Sequence, residues 1–167
     1  GKHVIVSKME HHSILNSARF LEKMGFVVTY LPVDKHGLVN PEAVKKAIMK
    51  ETTVISVIHA SSEVGTIEPL KEIANIAKEH KVLLHTDAVA STGNIPVNVK
   101  ELGVDLLDEG LEAVGGLERK QRLQVEDGGR GHGAFLALAL ERDSGAGDDF
   151  DAEAHDGLIY RSDFLNI

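Results

Sequence analysis

Thr53-Val-Ile-Ser-Val-Ile58 is a continuous, apolar-rich run, the pattern of a β-strand covered on both faces. A Glu68-Pro69 start then leads into Leu70, Ile73, Ala74 and Ala77 at helical spacing. A doubly covered strand followed by an amphipathic helix is the unit of a parallel α/β sheet. Working outward, Val82-Leu83-Leu84-His85 reads as one more short strand, and Val104-Asp105-Leu106-Leu107 after Gly103 opens another. Upstream, Val4-Ile5-Val6 is a short β-branched run. Ser13 precedes Ile14, Leu15, Ala18 and Leu21, a helical stripe that stops at Gly25. Phe26-Val-Val-Thr-Tyr-Leu31 is the next strand. Asn40-Pro41-Glu42 opens a helix with an N-cap, a proline at the first helical position and an early acid, and Val44, Ala47 and Ile48 form its buried face. Repeated βα units of this kind predict a doubly wound layer.

The chain of 167 residues is the size of one domain and carries 43% hydrophobic and 26% charged residues. No apolar run approaches the roughly 18 residues of a membrane span, so no membrane partner is expected. With no cysteine, the chain supplies neither a disulfide nor a thiolate metal cluster nor a cysteine nucleophile. The start at Gly1 enters a strand pattern directly, so no targeting segment is read and a cytoplasmic location is expected. Residues 1–107 hold 12 Lys+Arg and 12 Asp+Glu, whereas residues 108–167 hold 6 and 14, so the formal charge of -8 falls wholly on the second segment. Glycine shifts the same way, 6 against 10. The chain is therefore read as an ordered α/β segment, 1–107, and an acidic, glycine-rich tail, 108–167. The acidic balance argues against nucleic acid as a partner. In the tail, residues 134–140 suit a short helix, and 128–133 and 144–153 read as loop or disorder.

In parallel sheets ligands bind beyond the carboxyl ends of the strands. Three polar groups fall there: Glu10-His11-His12 after the first strand, His59-Ala-Ser-Ser-Glu-Val-Gly65 after the third, and His85-Thr-Asp-Ala88 at the fourth. Asp87 is the strongest single candidate, because a carboxylate at a strand end suits a cationic nitrogen on a ligand. The same residue type also caps turns.

Four strings, Ser7-Lys-Met-Glu-His-His-Ser-Ile-Leu-Asn16, Gly25-Phe-Val-Val-Thr-Tyr-Leu-Pro-Val-Asp34, His59-Ala-Ser-Ser-Glu-Val-Gly-Thr-Ile67 and His85-Thr-Asp-Ala-Val-Ala-Ser-Thr-Gly93, resemble the large domain of cysteine desulfurases. These belong to the class V aminotransferase group of fold type I enzymes that use pyridoxal 5′-phosphate. The resemblance runs from residue 1 to about Leu107 and covers the middle of a full-length family member. It implies a partial three-layer α/β fold with mostly parallel strands. It implies that His11 stacks on the cofactor ring and helps move protons, that Asp87 binds the pyridinium nitrogen, and that Ser62 lies near the ring's phenolic oxygen. It also implies L-cysteine as substrate, a sulfur-acceptor scaffold for iron–sulfur cluster assembly as partner, and a homodimer.

The sequence departs from the family at identifiable places. Ser62 stands where the family usually has asparagine and Ala90 where it has glutamine. After Leu107 a Ser-x-His-Lys motif is expected, whose lysine forms the Schiff base with the cofactor; here Glu112 and Ala113 occupy the histidine and lysine positions. Lys120 is the nearest later lysine and is not set in that motif. The family's phosphate-binding turn would lie before residue 1 and its cysteine loop beyond residue 167. The tail is accordingly expected to be out-of-frame or foreign sequence, or a lineage-specific ending, and the chain to be catalytically inactive. Two other readings remain at this level: a non-catalytic, partner-binding remnant, and a metal-dependent hydrolase using His85, Asp87 and one of His11, His12 or His59.

Overall fold

The computed structural model describes residues 1–108 and 158–160. Elements follow in the order β1 (His3–Ser7), α1 (His12–Lys23), β2 (Val27–Leu31), α2 (Pro41–Ala47), β3 (Thr52–Ser56), α3 (Leu70–Glu79), β4 (Leu83–Asp87), α4 (Val99–Leu102), β5 (Leu106–Asp108) and β6 (Leu158–Tyr160). They build one sheet in the order β2-β1-β3-β4-β5-β6. The first five strands are parallel and β6 runs antiparallel to β5. This is the mostly parallel α/β sheet that the sequence predicts.

Strand order dictates where the helices go. Only the step from β1 to β2 moves in one direction along the sheet, while β2 to β3 and β3 to β4 move in the other. Right-handed crossovers therefore place α1 on one face and α2 and α3 on the opposite face. The core divides accordingly. Val4, Val6, Val54 and Leu106 pack with Ile14, Ala18 and Leu21 of α1. Ile5, Ile55, Leu84 and Leu107 pack with Val44 of α2 and Leu70, Ile73 and Ala77 of α3. Alternate residues of each strand thus serve alternate layers, and β1 and β3 are buried along their whole length.

The local signals work, with differences at element ends: β3 is Thr52–Ser56 rather than 53–58, β4 runs on to Asp87, and β5 begins at Leu106. Helix α2 begins as predicted, with Asn40 accepting from the Glu42 N–H at 2.9 Å and Pro41 in the first position. Helix α1 is capped by His11 rather than started at Ser13: the His11 side chain accepts from the Ser13 N–H. Its end at Met24 is followed by Gly25 with φ +89°, a left-handed position a side chain would strain. Strand β2 starts one residue late, at Val27, and Phe26 packs in the α1 layer with Val28 and Tyr30. The short helix α4, capped by Asn98 and closed by Gly103 in the left-handed region, has no strong sequence signal. The helix read over residues 134–140, the glycine-rich stretch 128–133 and the segment 144–153 lie outside the described residues.

Candidate functional site

The strand order reverses at β1, whose neighbours are β2 on one side and β3 on the other. At such a switch point the loops leaving the two adjacent strands diverge to opposite faces and open a crevice at the carboxyl ends. All three polar groups singled out in the sequence sit around it. His11 caps α1, on the face that α1 covers, with its ring exposed and its centroid 3.9 Å from that of His12. Asp87 ends β4 and is only 4% exposed. Strand alternation puts Asp87 on the same face of β4 as Leu83 and His85, which is the α1 face. Its Oδ1 accepts the Val89 N–H at 3.0 Å, so it also caps the turn that follows. Ser62 lies exposed on the turn after β3.

Around Asp87 the crevice floor is polar and closed. Ser56 Oγ meets His85 Nδ1 at 2.9 Å on the same face of the sheet. His59 Nδ1 meets Ser91 Oγ at 2.8 Å, and the His59 N–H donates to the Asp87 carbonyl at 2.9 Å. Burial pushes His85 from 6.5 down to about 4 and also lowers His59, so both rings are neutral near pH 7. In register with Asp87, Asp108 ends β5 with 1% exposure.

Glu10 is the residue that sequence reasoning passed over. It was visible only as part of Glu10-His11-His12, yet it is 5% exposed and its Oε1 accepts the Ile58 N–H at 2.6 Å. Its Oε2 is buried outside hydrogen-bonding geometry. Burial holds its carboxyl well above the usual carboxylate range. The Asp87 and Glu68 charges add to this, and the Ile58 N–H and the Ser56 hydroxyl work against it. Glu68, buried ahead of α3, is raised by burial as well, although its Oε2 accepts the Val39 N–H at 2.9 Å. The signal available in the sequence was position alone: a glutamate directly after a strand at the switch point.

Among the described residues no group of three His, Asp or Glu side chains is placed to hold a metal ion. His85 and His59, two ligands of the hydrolase reading, each have a ring nitrogen turned to a serine hydroxyl instead. Nor, among those residues, is any helix long and apolar enough to cross a membrane. Glu112, Ala113 and Lys120 lie outside the described residues.

Residues 1–110 match the family described as aminotransferase class V. The chain is 48% identical to cysteine desulfurase IscS of Dictyoglomus turgidum over 88% of this chain and 37% of that protein. It is 45% identical to cysteine desulfurase IscS of Methanosarcina thermophila over 75% of this chain and 33% of that protein. Among solved structures, SspA in complex with cysteine superposes with a TM-score of 0.62 at 39% identity, over 64% of this chain and 30% of that one. A NifS-like protein gives 0.61 at 35% identity over the same shares. The chain spans about a third of the length of the curated relatives it matches.

Proposed function

The chain belongs to the class V aminotransferase family, and from that premise we propose that residues 1–108 are the part of a cysteine desulfurase large domain that receives the ring of pyridoxal 5′-phosphate. The observation that carries this reading is Asp87, a buried carboxylate ending β4 on the sheet face that also carries the His11 cap.

The donor set fits the ring end of that cofactor. A protonated ring nitrogen needs a carboxylate in a dry setting, and Asp87 provides one. A flat aromatic face needs a flat partner, and the exposed imidazole of His11, at the start of α1, would provide one. Ser62 would offer a hydroxyl toward the phenolic oxygen, a shorter reach than the family's asparagine. When bound, the cofactor supplies an electron sink for a carbanion at the substrate α-carbon. Asp87 would keep the ring nitrogen protonated. Val89 N–H fixes the direction of its carboxylate. His11 would cover the ring and help move a proton there. The closed floor formed by Ser56, His85, His59 and Ser91 excludes water from beneath Asp87.

L-cysteine as substrate, alanine and a persulfide as products, a sulfur-acceptor scaffold and a homodimer are the full family reaction and its setting. By the family resemblance Ala113 stands where the lysine that forms the covalent anchor is expected, and the chain contains no cysteine. The purified chain, incubated with pyridoxal 5′-phosphate and L-cysteine, is expected to give no alanine above a buffer control. It is expected to bind the cofactor reversibly, read from the cofactor's absorbance, and to release it on dialysis. Sustained alanine formation would refute the assignment of Ala113, and absence of cofactor binding would refute the assignment of Asp87.

A further inference from the structure

Backbone groups just beyond two diverging strands lose their ladder partners, and each needs another. Past the end of β3, Val57 N–H donates to His85 O and His59 N–H to Asp87 O, both on β4. Ile58 N–H, between them, points the other way, toward β1, where the chain has already turned off to α1. Glu10 Oε1 takes that hydrogen bond at 2.6 Å, across 48 residues of sequence. Glu10 is thus the side chain that spans the switch-point crevice. It is followed immediately by His11, and it lies close enough to Asp87 to feel its charge.

We propose that Glu10 is a positioning residue: its side chain bridges the crevice from the turn after β1 to Ile58 and thereby fixes His11 relative to Asp87. A short side chain there would leave the Ile58 N–H unpaired and buried, and the turn bearing His11 would lose its link to the chain beyond β3. The groups facing Glu10 are Asp87 from β4, Ser56 from β3 and Glu68 ahead of α3; no cation figures among them. A carboxylic acid suits that setting better than a carboxylate. It accepts from Ile58 at one oxygen and adds no second charge beside Asp87, which remains the negative group for a cationic ring nitrogen. What the bridge serves rests on the cofactor reading above; the bridge itself does not.

The test uses the full chain without cofactor and follows the Ile58 amide and the His11 ring by NMR across pH. In the wild type the Ile58 amide signal should move in a step above the usual carboxylate range. Glu10→Gln keeps an acceptor for Ile58 but cannot titrate, so the step should vanish while the Ile58 resonance stays near its low-pH wild-type position and the His11 signals stay sharp. Glu10→Ala removes the acceptor, so Ile58 exchange protection should fall roughly tenfold or more and the His11 signals should broaden. If Glu10→Ala does not fold, Glu10→Asp, one methylene short of Ile58, gives the same comparison. Unchanged Ile58 protection and unchanged His11 signals in the truncated variant would overturn the proposal, as would loss of His11 order in Glu10→Gln. Titration with pyridoxal 5′-phosphate separates the two ideas. If the bridge holds but no variant, wild type included, binds the cofactor, the cofactor reading fails and the bridge stands.

Discussion

At the amino end of the sheet the buried polar side chains are His3, Thr52 and Thr53; at the carboxyl end they include Glu10, Ser56, His59, Glu68, His85, Asp87 and Asp108. Both ring nitrogens of His3 find hydroxyls, Thr52 Oγ1 at 2.6 Å and Thr29 Oγ1 at 2.9 Å, on the two strands that flank β1. Thr53 occupies the irregularity between β1 and β3 and donates to the His3 carbonyl at 3.1 Å. That end is a closed set of cross-strand bonds between neutral groups. The carboxyl end instead gathers acids, two of which burial holds above the usual carboxylate range. One end uses polar groups to lock strands together, and the other keeps them at a cost in stability, as expected where charge is reserved for a ligand.

Acid should expose the difference most strongly. His85 is neutral in the fold with a value of about 4, against 6.5 in the unfolded chain. Below pH 6.5 the unfolded state gains a proton that the folded state refuses, so stability falls between pH 6.5 and about 4 and levels off below. That gap is worth on the order of 3 kcal/mol. His59 and His3, also lowered by burial, act in the same direction. Urea unfolding at pH 7 and pH 4.5 measures the loss; a His85→Gln variant should lose much less over the same interval.

Next come two substitutions that should separate the ends. His3→Ala leaves a cavity and unpairs two hydroxyl contacts, at about 2 kcal/mol of stability, with cofactor affinity unchanged. Asp87→Asn retains the side-chain oxygen that caps the turn at Val89, so stability should change little. It removes the charge for a ring nitrogen, and cofactor affinity should fall roughly tenfold to a hundredfold, since hydrogen bonds to charged groups are worth about 1.5–3 kcal/mol. Thermal unfolding and absorbance titration read the two quantities. If His3→Ala weakens binding as much as Asp87→Asn does, the contrast between the ends is wrong.

The layer was legible because runs such as Thr53–Ile58 and Val4–Val6 carry apolar side chains toward both faces, a requirement that sequence pattern records directly. Asp87 was legible for a related reason: an acid closing an apolar strand is an exception, and exceptions mark sites. Glu10 was not, because its environment comes from Ile58 on one strand and Asp87 on another, and nothing next to Glu10 in sequence announces them. The His11 cap was missed because serine is the better cap by propensity, yet His11 reaches the Ser13 N–H and leaves that serine inside the first turn. His85 read as the end of its strand, but β4 continues two residues beyond it and His85 is completely buried.

The pH dependence of Glu10 is the most discriminating test. Glu10 has a raised value in the fold, so between the ordinary carboxylate range and that raised value the folded chain holds a proton that the unfolded chain has released. Its contribution to stability is therefore greatest at low pH and declines as pH rises through that window, opposite in sign to the histidines. Glu68 behaves alike and overlaps it, so the wild-type curve alone does not isolate Glu10. The difference between Glu10→Gln and wild type does: it should grow in favour of the variant as pH rises and be smallest near pH 4. In an Asp87→Asn background the same difference should shrink, because the Asp87 charge is the second cause of the shift after burial. A difference that is flat with pH, or equal in the two backgrounds, would mean that Glu10 and Asp87 do not share one crevice.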